Sequence, residues 1–584
     1  MINMTIVDFL AERAVRNAND LAFRFMENGD IDGPIQEWSF SQLYAQSAGV
    51  AANLTAQGLS GTSVLLPFPP GLDFIKAFYG CLLAGVKAVP VPLPNPRSEN
   101  PLGRILNTAK VSGASVVLTT GQLADMAKSL GDLPINFQAV TDNTITEYTG
   151  PKPGMEEIAY LQFTSGSTGH PKGVAISHAN AVANLRVMGQ MLRLDSTKPA
   201  IVWAPHYHDL CLVCDILGPV YFGYESTIMS PMDFLMKPVR WLKAISHYKI
   251  VNSACPNFGY AYSVRRIQPE ECRGLDLSSW ETAGNGGEQV LPETLATFNE
   301  RFGPLGFRPQ TFMPCYGMAE SVLFVGGLKP QSQPPKILSL SASALKTHQV
   351  HILDDQAPDV RKIVSCGCPG GDHKIIAVDP ATHTAAGLDQ VGELWVKGPS
   401  VPKFYWGLKK ESEATFGARL ADTGEGPFLR TGDLGFILDG EAYITGRLKD
   451  LIIIAGKNHY PDDIELTVQN SDAPVRLGAC IAVSKPSKDG GEELAIIAEV
   501  NERRIPDDVK NGNNGSTAAG KFWFSAVRSL QGAITQGHSL SAQTVIFVEP
   551  RSLEKTSSGK PRRRYYQERL IQGKLAVVYQ HPLT

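Results

Sequence analysis

The sequence has almost no excess charge of either sign, and this limits the partners it can have. Its 584 residues carry 54 Lys and Arg against 57 Asp and Glu, a formal net charge of −3. Proteins that bind nucleic acid rely on a strongly basic face to contact phosphates. We therefore expect no nucleic-acid partner.

The sequence also lacks long apolar runs, and its number of cysteines is odd. No apolar stretch approaches the roughly 20 residues of a membrane-spanning helix, so no membrane span is predicted. The nine cysteines, scattered from Cys81 to Cys480, favour reduced thiols and a cytoplasmic location over a disulfide framework. The first residues, MINMTIVDFLAERA, have no basic stretch before an apolar core, so they predict an amphipathic helix and not a signal peptide.

One group of potential metal ligands occurs in HYHDLCLVC, residues 206–214. A C-x2-C pair beside two histidines can bind zinc, but structural zinc sites usually take their ligand pairs from separated turns. Here all four residues share one apolar stretch, and we favour buried thiols over a metal site. The residues concerned are His206, His208, Cys211 and Cys214.

The pattern of apolar residues indicates an α/β protein with several lobes. Strand-length runs such as AIVWAP alternate with helical segments such as FSQLYAQSAGVAANLTAQ through the first 350 residues. Short predicted strands follow, among them VHIL and GFILDGEAYITG with its Asp439-Gly440 turn, and these indicate a β-rich lobe. The last part predicts a small α/β unit with a helix starting near Tyr460 and a mobile polar loop over 503–521.

A glycine- and hydroxyl-rich segment, FTSGSTGHPKGV at residues 163–174, is the first indication of chemistry. It joins two predicted strands as a hairpin, and its composition is typical of a loop that holds a polyphosphate. It is not a Walker A loop, because Lys172 is followed by Gly173 and a second strand and not by a helix. By itself it is equally well explained as a flexible surface hairpin. Its candidate ligands are Thr164, Ser165, Gly166, Ser167, Thr168 and Lys172.

Four more motifs carry side chains suited to a nucleotide. CYGMAES, residues 315–321, has an aromatic ring four residues before a carboxylate, and FLRTGDLG, residues 428–435, places a carboxylate at a predicted strand-end turn. GRLKD, residues 446–450, and KTSSGKPRR, residues 555–563, supply basic groups. Each motif alone is explained by a packed aromatic, a surface acid, a turn residue or a solvated basic tail. The residues are Tyr316, Glu320, Asp433, Arg447, Lys449 and Lys560.

Together and in this order, the five motifs closely resemble those of the adenylate-forming superfamily, over residues 8–570. Within that superfamily the sequence is most similar to the fatty acyl-AMP ligases. The segments that carry this similarity are YLQFTSGSTGHPKGV, WAPHYHDL, ACPNFGYAYSVRRI, LDLSSWETAGNGGE and RPQTFMPCYGMAES, with a long stretch between Gly327 and Gly371. The resemblance implies a large N-terminal domain of α/β layers plus a β-rich lobe, residues 1–448, with an insertion at about 336–364. A small mobile C-terminal α/β domain, residues 449–584, would follow.

The resemblance also implies a reaction. Fatty acyl-AMP ligases use ATP and Mg²⁺ to convert a fatty acid into an acyl adenylate. They then pass the acyl group to the phosphopantetheine of an acyl carrier protein or of a carrier domain in a polyketide or nonribosomal peptide synthase. Lys560 would bridge the fatty carboxylate and the α-phosphate, Glu320 would bind Mg²⁺, and His208 would border the carboxylate pocket.

The nucleotide residues follow from the same motifs. The loop at 163–174 would hold the β and γ phosphates, Asp433 would bind the ribose hydroxyls, and Arg447 would lie against ribose or phosphate. Lys449 would be the hinge about which the small domain turns. The residues expected around the adenine are Gly286, Gly287, Glu288, Tyr316, Gly317 and Met318.

Two alternatives stay open. An ordinary acyl-CoA synthetase shares the first half-reaction, and a non-catalytic adenylate-binding regulator shares the fold, although the presence of Glu320, Asp433 and Lys560 disfavours it. His206 and Cys211 depart from the family pattern, which leaves the preferred chain length open. The apolar residues of the insertion predict a packed element that docks on the large domain near the small one. They are Ile337, Leu338, Leu340, Val350, Ile352 and Leu353.

Overall fold

The protein is described by a computed structural model that covers residues 4–94, 100–131, 133–164, 171–328, 333–454, 457–487, 492–510, 517–555 and 560–582. Its first part consists of α1 (Ile6–Arg16), β1 (Leu21–Met26), β2 (Ile35–Ser39), α2 (Phe40–Ala56), β3 (Ser63–Pro67), α3 (Leu72–Leu83), β4 (Lys87–Val91), α4 (Gly103–Ser112), β5 (Val116–Thr119), α5 (Gly121–Ser129), β6 (Asn136–Ala139), β7 (Ile158–Thr164), β8 (Lys172–Ser177), α6 (His178–Leu192), β9 (Ala200–Val202), a π-helix (Cys211–Leu217), α7 (Gly218–Phe222), β10 (Ser226–Met229), α8 (Pro231–Met236), α9 (Val239–His247), β11 (Asn252–Cys255), α10 (Asn257–Arg266), β12 (Thr282–Asn285), α11 (Pro292–Phe302), β13 (Phe312–Gly317) and β14 (Phe324–Gly327).

The rest of the chain forms a β-rich lobe and a C-terminal unit. The lobe comprises β15 (Ile337–Ser341), α12 (Ala342–Leu345), β16 (Val360–Val364), β17 (Cys368–Pro369), β18 (Lys374–Val378), β19 (Gly392–Lys397), α13 (Lys409–Phe416), β20 (Leu429–Leu438) and β21 (Glu441–Arg447). The C-terminal unit comprises β22 (Ile452–Ile454), β23 (Lys457–His459), α14 (Pro461–Gln469), β24 (Val475–Pro486), β25 (Glu492–Val500), α15 (Asp507–Lys510), α16 (Thr517–His538), β26 (Ala542–Val548), α17 (Arg563–Ile571) and β27 (Val577–Pro582).

Two largely parallel sheets and the helices between them form the α/β body. The strands run in the order β17-β14-β13-β12-β11-β9-β10-β1-β2 in one sheet and β6-β5-β3-β4-β7-β8 in the other. Strand β3 is buried along its whole length, as expected of a central parallel strand covered on both faces. Helices α2, α3 and α6 bury apolar side chains such as Phe40, Phe78 and Leu185 in one core with both sheets. The predicted α/β body is confirmed.

The glycine-rich segment joins two antiparallel strands, as the sequence predicted. Strand β7 pairs with β8, and Thr164 lies opposite Lys172 at the base of the hairpin. The strand order places this hairpin at one edge of the six-stranded sheet. Four of the predicted phosphate ligands, Ser165, Gly166, Ser167 and Thr168, lie outside the described residues.

The β-rich lobe has a four-stranded antiparallel sheet in the order β18-β19-β20-β21. The Asp439-Gly440 turn joins β20 and β21, with positive φ angles of 52° and 79° that suit a type I′ hairpin, so this prediction is confirmed. The predicted strand VHIL is wrong. The segment is reduced to an isolated bridge between Ile352 and Leu340, made by the backbone bonds Ser341 N–H to His351 O at 2.9 Å and Leu353 N–H to Ser339 O at 2.8 Å, on the edge of β15 opposite β16.

The predicted insertion packs between the β-rich lobe and the C-terminal unit. Its Leu338 and Leu340 share an apolar cluster with Phe436 and Tyr443 of the lobe and Tyr460 at the start of α14. Its polar groups also reach the C-terminal unit: Arg361 pairs with Asp463 at 3.0 Å, and Lys346 Nζ donates to the carbonyl of His538 at 3.0 Å.

Two residues of this segment do not follow the prediction. Ile337 is 41% exposed and Ile352 is 58% exposed, although both were expected to be packed. Ile337 directly precedes the buried Leu338, whereas Ile352 lies between the exposed His351 and the half-buried Leu353. The docking therefore depends on Leu338, Leu340, Leu345 and Val350, which are buried.

The C-terminal unit is a four-stranded sheet, β24-β25-β26-β27, packed against helices. The helix predicted near Tyr460 is confirmed as α14. The mobile loop predicted over 503–521 is wrong where the chain is described, because α15 lies within it and α16 begins at Thr517. Ala519 and Trp523 of α16 are buried under the sheet, and this packing outweighs the local polar composition; residues 511–516 lie outside the described part.

Among the residues that the structure describes, we find no helix that combines the length and apolar character needed to span a bilayer.

Buried histidines predict that the stability of the protein depends on pH. Burial lowers the pKa of His178 to about 4 and that of His206 to about 3. Because the unfolded chain binds these protons near pH 6.5, the stability is complete above that pH and is lost as the pH falls towards the folded values. We expect a lower melting temperature at pH 5 than at pH 7, with each such histidine contributing up to about 1.4 kcal/mol per pH unit.

The test compares the parent protein with a variant in which a buried histidine is replaced by a residue that does not bind a proton. His178→Gln should reduce the difference in melting temperature between pH 5 and pH 7, whereas His247→Gln, at an exposed position, should leave it unchanged. Equal melting temperatures for the parent at both pH values would contradict the assignment.

Candidate active site

Asp433 is the group at which three of the motifs meet. Its Oδ2 accepts a hydrogen bond from the hydroxyl of Tyr316 at 2.8 Å, and its Oδ1 accepts one from Arg447 Nε at 2.9 Å. Asp433 is only 6% exposed, so its charge is held by these two partners. It lies inside β20 and not at the predicted strand-end turn; Gly432 before it has a φ of 72°, and the strand continues through this irregularity.

Glu393 holds the backbone that presents Asp433, and the sequence reasoning missed it. Its side chain is nearly fully buried and accepts hydrogen bonds from the Gly432 backbone N–H at 3.1 Å and from Trp395 Nε1 at 2.9 Å. Arg430 Nη2 lies 2.8 Å from the same carboxylate. The signal that could have revealed Glu393 is an acidic residue next to the apolar run LWV in the strand GELWVK.

The predicted metal ligand and the predicted phosphate lysine meet at one tyrosine. The hydroxyl of Tyr405 donates to Glu320 Oε1 at 2.8 Å, and Lys172 Nζ lies 5.0 Å from the centre of the Tyr405 ring. Thr164 lies opposite Lys172 in the hairpin. The CYGMAES motif and the described ends of the glycine-rich loop are therefore adjacent, and Tyr405 is a second residue that the sequence reasoning missed.

The glycines predicted around the adenine are required by close approaches of the backbone. A Cβ on Gly286 would lie 2.7 Å from Cys315 Sγ, and a Cβ on Gly317 would lie 1.7 Å from the carbonyl oxygen of Leu323. Gly286 directly follows β12, and Gly317 ends β13, so two neighbouring parallel strands finish beside each other. The adjoining candidates are Gly287, Glu288 and Met318.

Glu288 and Asp209 are acidic groups whose surroundings shift their pKa in opposite directions. Glu288 Oε1 accepts the backbone N–H of Phe258 at 2.5 Å, and burial raises the pKa of its carboxyl above the ordinary value. Burial alone would also raise the pKa of Asp209, but His208, whose Nδ1 lies 2.7 Å away, and other partners lower it below the ordinary value.

Lys560 of the C-terminal unit faces these carboxylates. Burial lowers the pKa of its ammonium group and Arg447 lowers it further, whereas Asp433, Asp209 and Glu288 oppose the shift. All of these groups therefore act on one half-buried lysine, which lies within electrostatic range of the motifs that carry them. Lys560 therefore lies within electrostatic range of Asp209, Glu288, Asp433 and Arg447.

Arg563 holds the chain just after Lys560. Its guanidinium donates to Glu465 at 2.8 Å and to Asp450 at 3.1 Å, and it also contacts Asp462. Asp450 follows Lys449, the predicted hinge, so one buried arginine connects the neighbourhood of the hinge to that of Lys560. The pKa of Lys449 is lowered by burial and by the nearby charges of Arg564 and Lys172.

The segment that resembled a zinc site is packed in the core. The ring of His206 lies 4.2 Å from that of Phe74, and neither of its nitrogens has a hydrogen-bond partner among the described residues. Cys211 is buried and Cys214 is half-buried, both on the π-helix. Within the described part of the chain, no group of three or more His, Cys, Asp or Glu residues is arranged to hold a metal ion.

Comparison with known proteins accounts for this arrangement. The AMP-binding enzyme family matches residues 10–406. The chain belongs to this family. A medium-chain fatty acid–[acyl-carrier-protein] ligase of Moorena producens is 37% identical over 98% of this chain and 96% of its own length. A putative fatty-acid–CoA ligase of Mycobacterium leprae is 34% identical over 96% and 97%.

A solved relative of this AMP-binding chain agrees with it in fold. The fatty acyl-adenylate ligase of Legionella pneumophila, in complex with acyl adenylate and pyrophosphate, has a TM-score of 0.73 and 35% identity over 99% of this chain and 98% of the other. The resemblance seen in the motifs, and the predicted combination of a large N-terminal and a small C-terminal α/β domain, are confirmed.

Glu393 provides a test of how Asp433 is held. Glu393→Ala leaves the N–H groups of Gly432 and Trp395 without their buried acceptor and Arg430 without its partner. We expect the free energy of unfolding to fall by about 2–3 kcal/mol, measured by urea denaturation. Lys336→Ala breaks an exposed ion pair with Asp439 and should cost less than about 1 kcal/mol. Equal losses in the two variants would contradict the role of Glu393.

Proposed function

We propose that this enzyme uses ATP to convert a medium- or long-chain fatty acid into an acyl adenylate and pyrophosphate. It then transfers the acyl group to the phosphopantetheine of an acyl carrier protein or carrier domain. The observation that carries this proposal is the position of Lys560 among Asp209, Glu288, Asp433 and Arg447. The similarity to the Moorena and Legionella ligases supports the fatty acid and the acyl adenylate, and the Moorena ligase also supports the carrier protein.

In this proposal, the protein supplies a group for each part of the nucleotide: the ribose, the base and the phosphates. The carboxylate of Asp433, already oriented by Tyr316 and Arg447, would accept the two ribose hydroxyls. The flat base would lie beside the ring of Tyr316 and the backbone of Gly286 and Gly287. Lys172 and the hairpin that carries it would hold the β and γ phosphates, and Arg447 would lie against ribose or phosphate.

The residues present fit a magnesium ion. Glu320 is half-buried, and its Oε1 is already hydrogen-bonded to Tyr405, which fixes the carboxylate beside Lys172. Carboxylate oxygens together with substrate phosphates are the usual ligands of Mg²⁺. Glu320 would therefore hold the ion, which would neutralise charge on the leaving pyrophosphate.

Lys560 would supply the charge needed at the reacting atoms. A carboxylate oxygen of the fatty acid forms a bond to the α-phosphorus, and the bond from that phosphorus to the β-phosphate oxygen breaks, releasing pyrophosphate. An ammonium group between the carboxylate and the α-phosphate offsets the negative charge that both bring together. His208, held against Asp209, would border the carboxylate.

The second half-reaction requires a different arrangement of the C-terminal unit. The thiol of phosphopantetheine loses its proton to solvent and its sulfur forms a bond to the acyl carbon, while the bond from that carbon to the AMP oxygen breaks and AMP leaves. We place the hinge for this movement at Lys449, between a large domain of residues 1–448 and a small domain of residues 449–584. Arg361, in the insertion at about 336–364 before that hinge, pairs with Asp463 after it.

The choice between acyl-AMP ligase and acyl-CoA ligase is open to a direct test. Given ATP, Mg²⁺ and decanoate, we expect the enzyme to accumulate decanoyl-AMP, to acylate a holo-acyl carrier protein, and to form little decanoyl-CoA when coenzyme A is supplied. Products are quantified by mass spectrometry, with the apo-carrier protein as the control. Rapid and stoichiometric decanoyl-CoA formation would favour the alternative named in the Mycobacterium leprae relative.

Lys560 has a matched control in the same unit. Lys560→Ala should lower the rate of acyl-adenylate formation by a factor of about 10² to 10³, comparable with losing one oriented donor to a transition-state charge. Lys574→Ala, an exposed lysine of the same unit, should keep the parental rate. Pyrophosphate release measures both. Near-parental activity of Lys560→Ala would show that the lysine belongs to a solvated basic segment.

A further inference from the structure

Tyr405 is placed beside the phosphate site by backbone pairing. The segment 404–406 runs next to β8: Ala175 N–H donates to the carbonyl of Phe404 at 3.2 Å, and Trp406 N–H donates to the carbonyl of Gly173 at 2.7 Å. Strand β8 begins at Lys172. Because these bonds are between backbone groups, the position of Tyr405 relative to Lys172 does not depend on which side chain residue 405 carries.

The side chain of Tyr405 contacts two charged residues of the proposed metal and phosphate site, Glu320 and Lys172. The hydroxyl donates to Glu320 Oε1 at 2.8 Å, and the face of the ring lies under the ammonium group of Lys172, 5.0 Å from its centre. Tyr405 is 5% exposed, so water competes little for either contact. One rigid ring therefore sets the spacing between the carboxylate of Glu320, which follows β13, and the ammonium group of Lys172, which starts β8.

Helix α13 fixes Tyr405 from the other side. Ser412 Oγ accepts the backbone N–H of Tyr405 at 3.0 Å and donates to its carbonyl at 3.3 Å. The ring of Phe416 packs against the tyrosine ring with 5.0 Å between their centres. The tyrosine is thus held at its backbone and at its ring, with its hydroxyl directed to Glu320 and one ring face to Lys172.

We propose that Tyr405 is a positioning residue for the metal site. By donating to Oε1 of Glu320, it leaves Oε2 as the oxygen for Mg²⁺ and prevents the carboxylate from turning onto Lys172. Groups that hydrogen-bond a metal-binding carboxylate commonly change metal affinity 10- to 100-fold when they are removed. This inference rests on the proposed function, because it assumes that Glu320 binds the ion that accompanies ATP.

The direct test measures metal binding without catalysis. Tyr405→Phe removes one oxygen and keeps the ring and the backbone pairing. Mn²⁺ bound to the full chain, in the presence of α,β-methylene-ATP, is quantified by electron paramagnetic resonance. We expect the variant to bind Mn²⁺ about 10-fold more weakly. In the steady state the concentration of Mg²⁺ needed for half-maximal rate should rise, whereas the KM for decanoate should not change.

Tyr443→Phe is the matched control. The hydroxyl of Tyr443 also donates to a glutamate, Glu441, at 3.1 Å, but this pair lies in the β-rich lobe and contacts no predicted site residue. Tyr443→Phe should lose about as much stability as Tyr405→Phe but keep the parental Mn²⁺ affinity. If Tyr405→Phe also keeps parental Mn²⁺ affinity, the Tyr405 bond is structural only and the inference is overturned.

A double-mutant cycle separates the pair from its surroundings. In a Glu320→Gln background, the further change Tyr405→Phe should have no additional effect on Mn²⁺ affinity, and an undiminished effect would count against the inference. The failure of the proposed function is a separate result: a parent chain that makes no acyl adenylate from decanoate and ATP would refute that function, whatever the metal-binding comparison gives.

Discussion

The buried carboxylate of Asp433 connects the parts of this protein that would surround a nucleotide. It accepts hydrogen bonds from Tyr316, near the end of strand β13 in the nine-stranded sheet, and from Arg447, on the strand that leads to the C-terminal unit. A carboxylate removed from water is stable only with such partners. The buried carboxylate of Glu393 is also hydrogen-bonded: it accepts the backbone N–H of Gly432, the residue next to Asp433. The α/β body and the β-rich lobe are joined through Asp433, whose partner Arg447 lies a few residues before the C-terminal unit begins.

The site balances charge across the boundary between its two units. Lys560 comes from the C-terminal unit, and the carboxylates that act on it, Asp209, Glu288 and Asp433, come from the body and the β-rich lobe. Such attraction is strong only at short range and with little water between the groups. Arg563, paired with Glu465 and Asp450, holds the chain of Lys560 on its own side. An ATP molecule with its negative phosphates would enter a site that already has cations on both sides.

The elements that sequence reasoning predicted best are those in which local pattern and tertiary packing agree. The fully apolar β3, the capped helix α2 and the turn at Asp439-Gly440 needed no knowledge of their neighbours. The failures have a common cause. VHIL has the composition of a strand, but only Ile352 forms a bridge, to the edge of β15 opposite β16. The polar stretch near Thr517 is helical because Trp523 packs under a sheet. Pairing and burial by distant residues decided these cases.

The sequence alone determined the chemistry that is available: the order of the five motifs, the types of their side chains, the family and the α/β fold. It also determined that Gly286 and Gly317 carry no side chain. Only the tertiary structure decided which groups meet. Tyr405 touches Glu320 from 85 positions away, and Tyr316 reaches Asp433 from 117 away. The sequence around each of these residues does not reveal its hydrogen-bond partner. A hydrogen bond requires a distance of about 3 Å, and strand order and sheet packing decide which residues come that close.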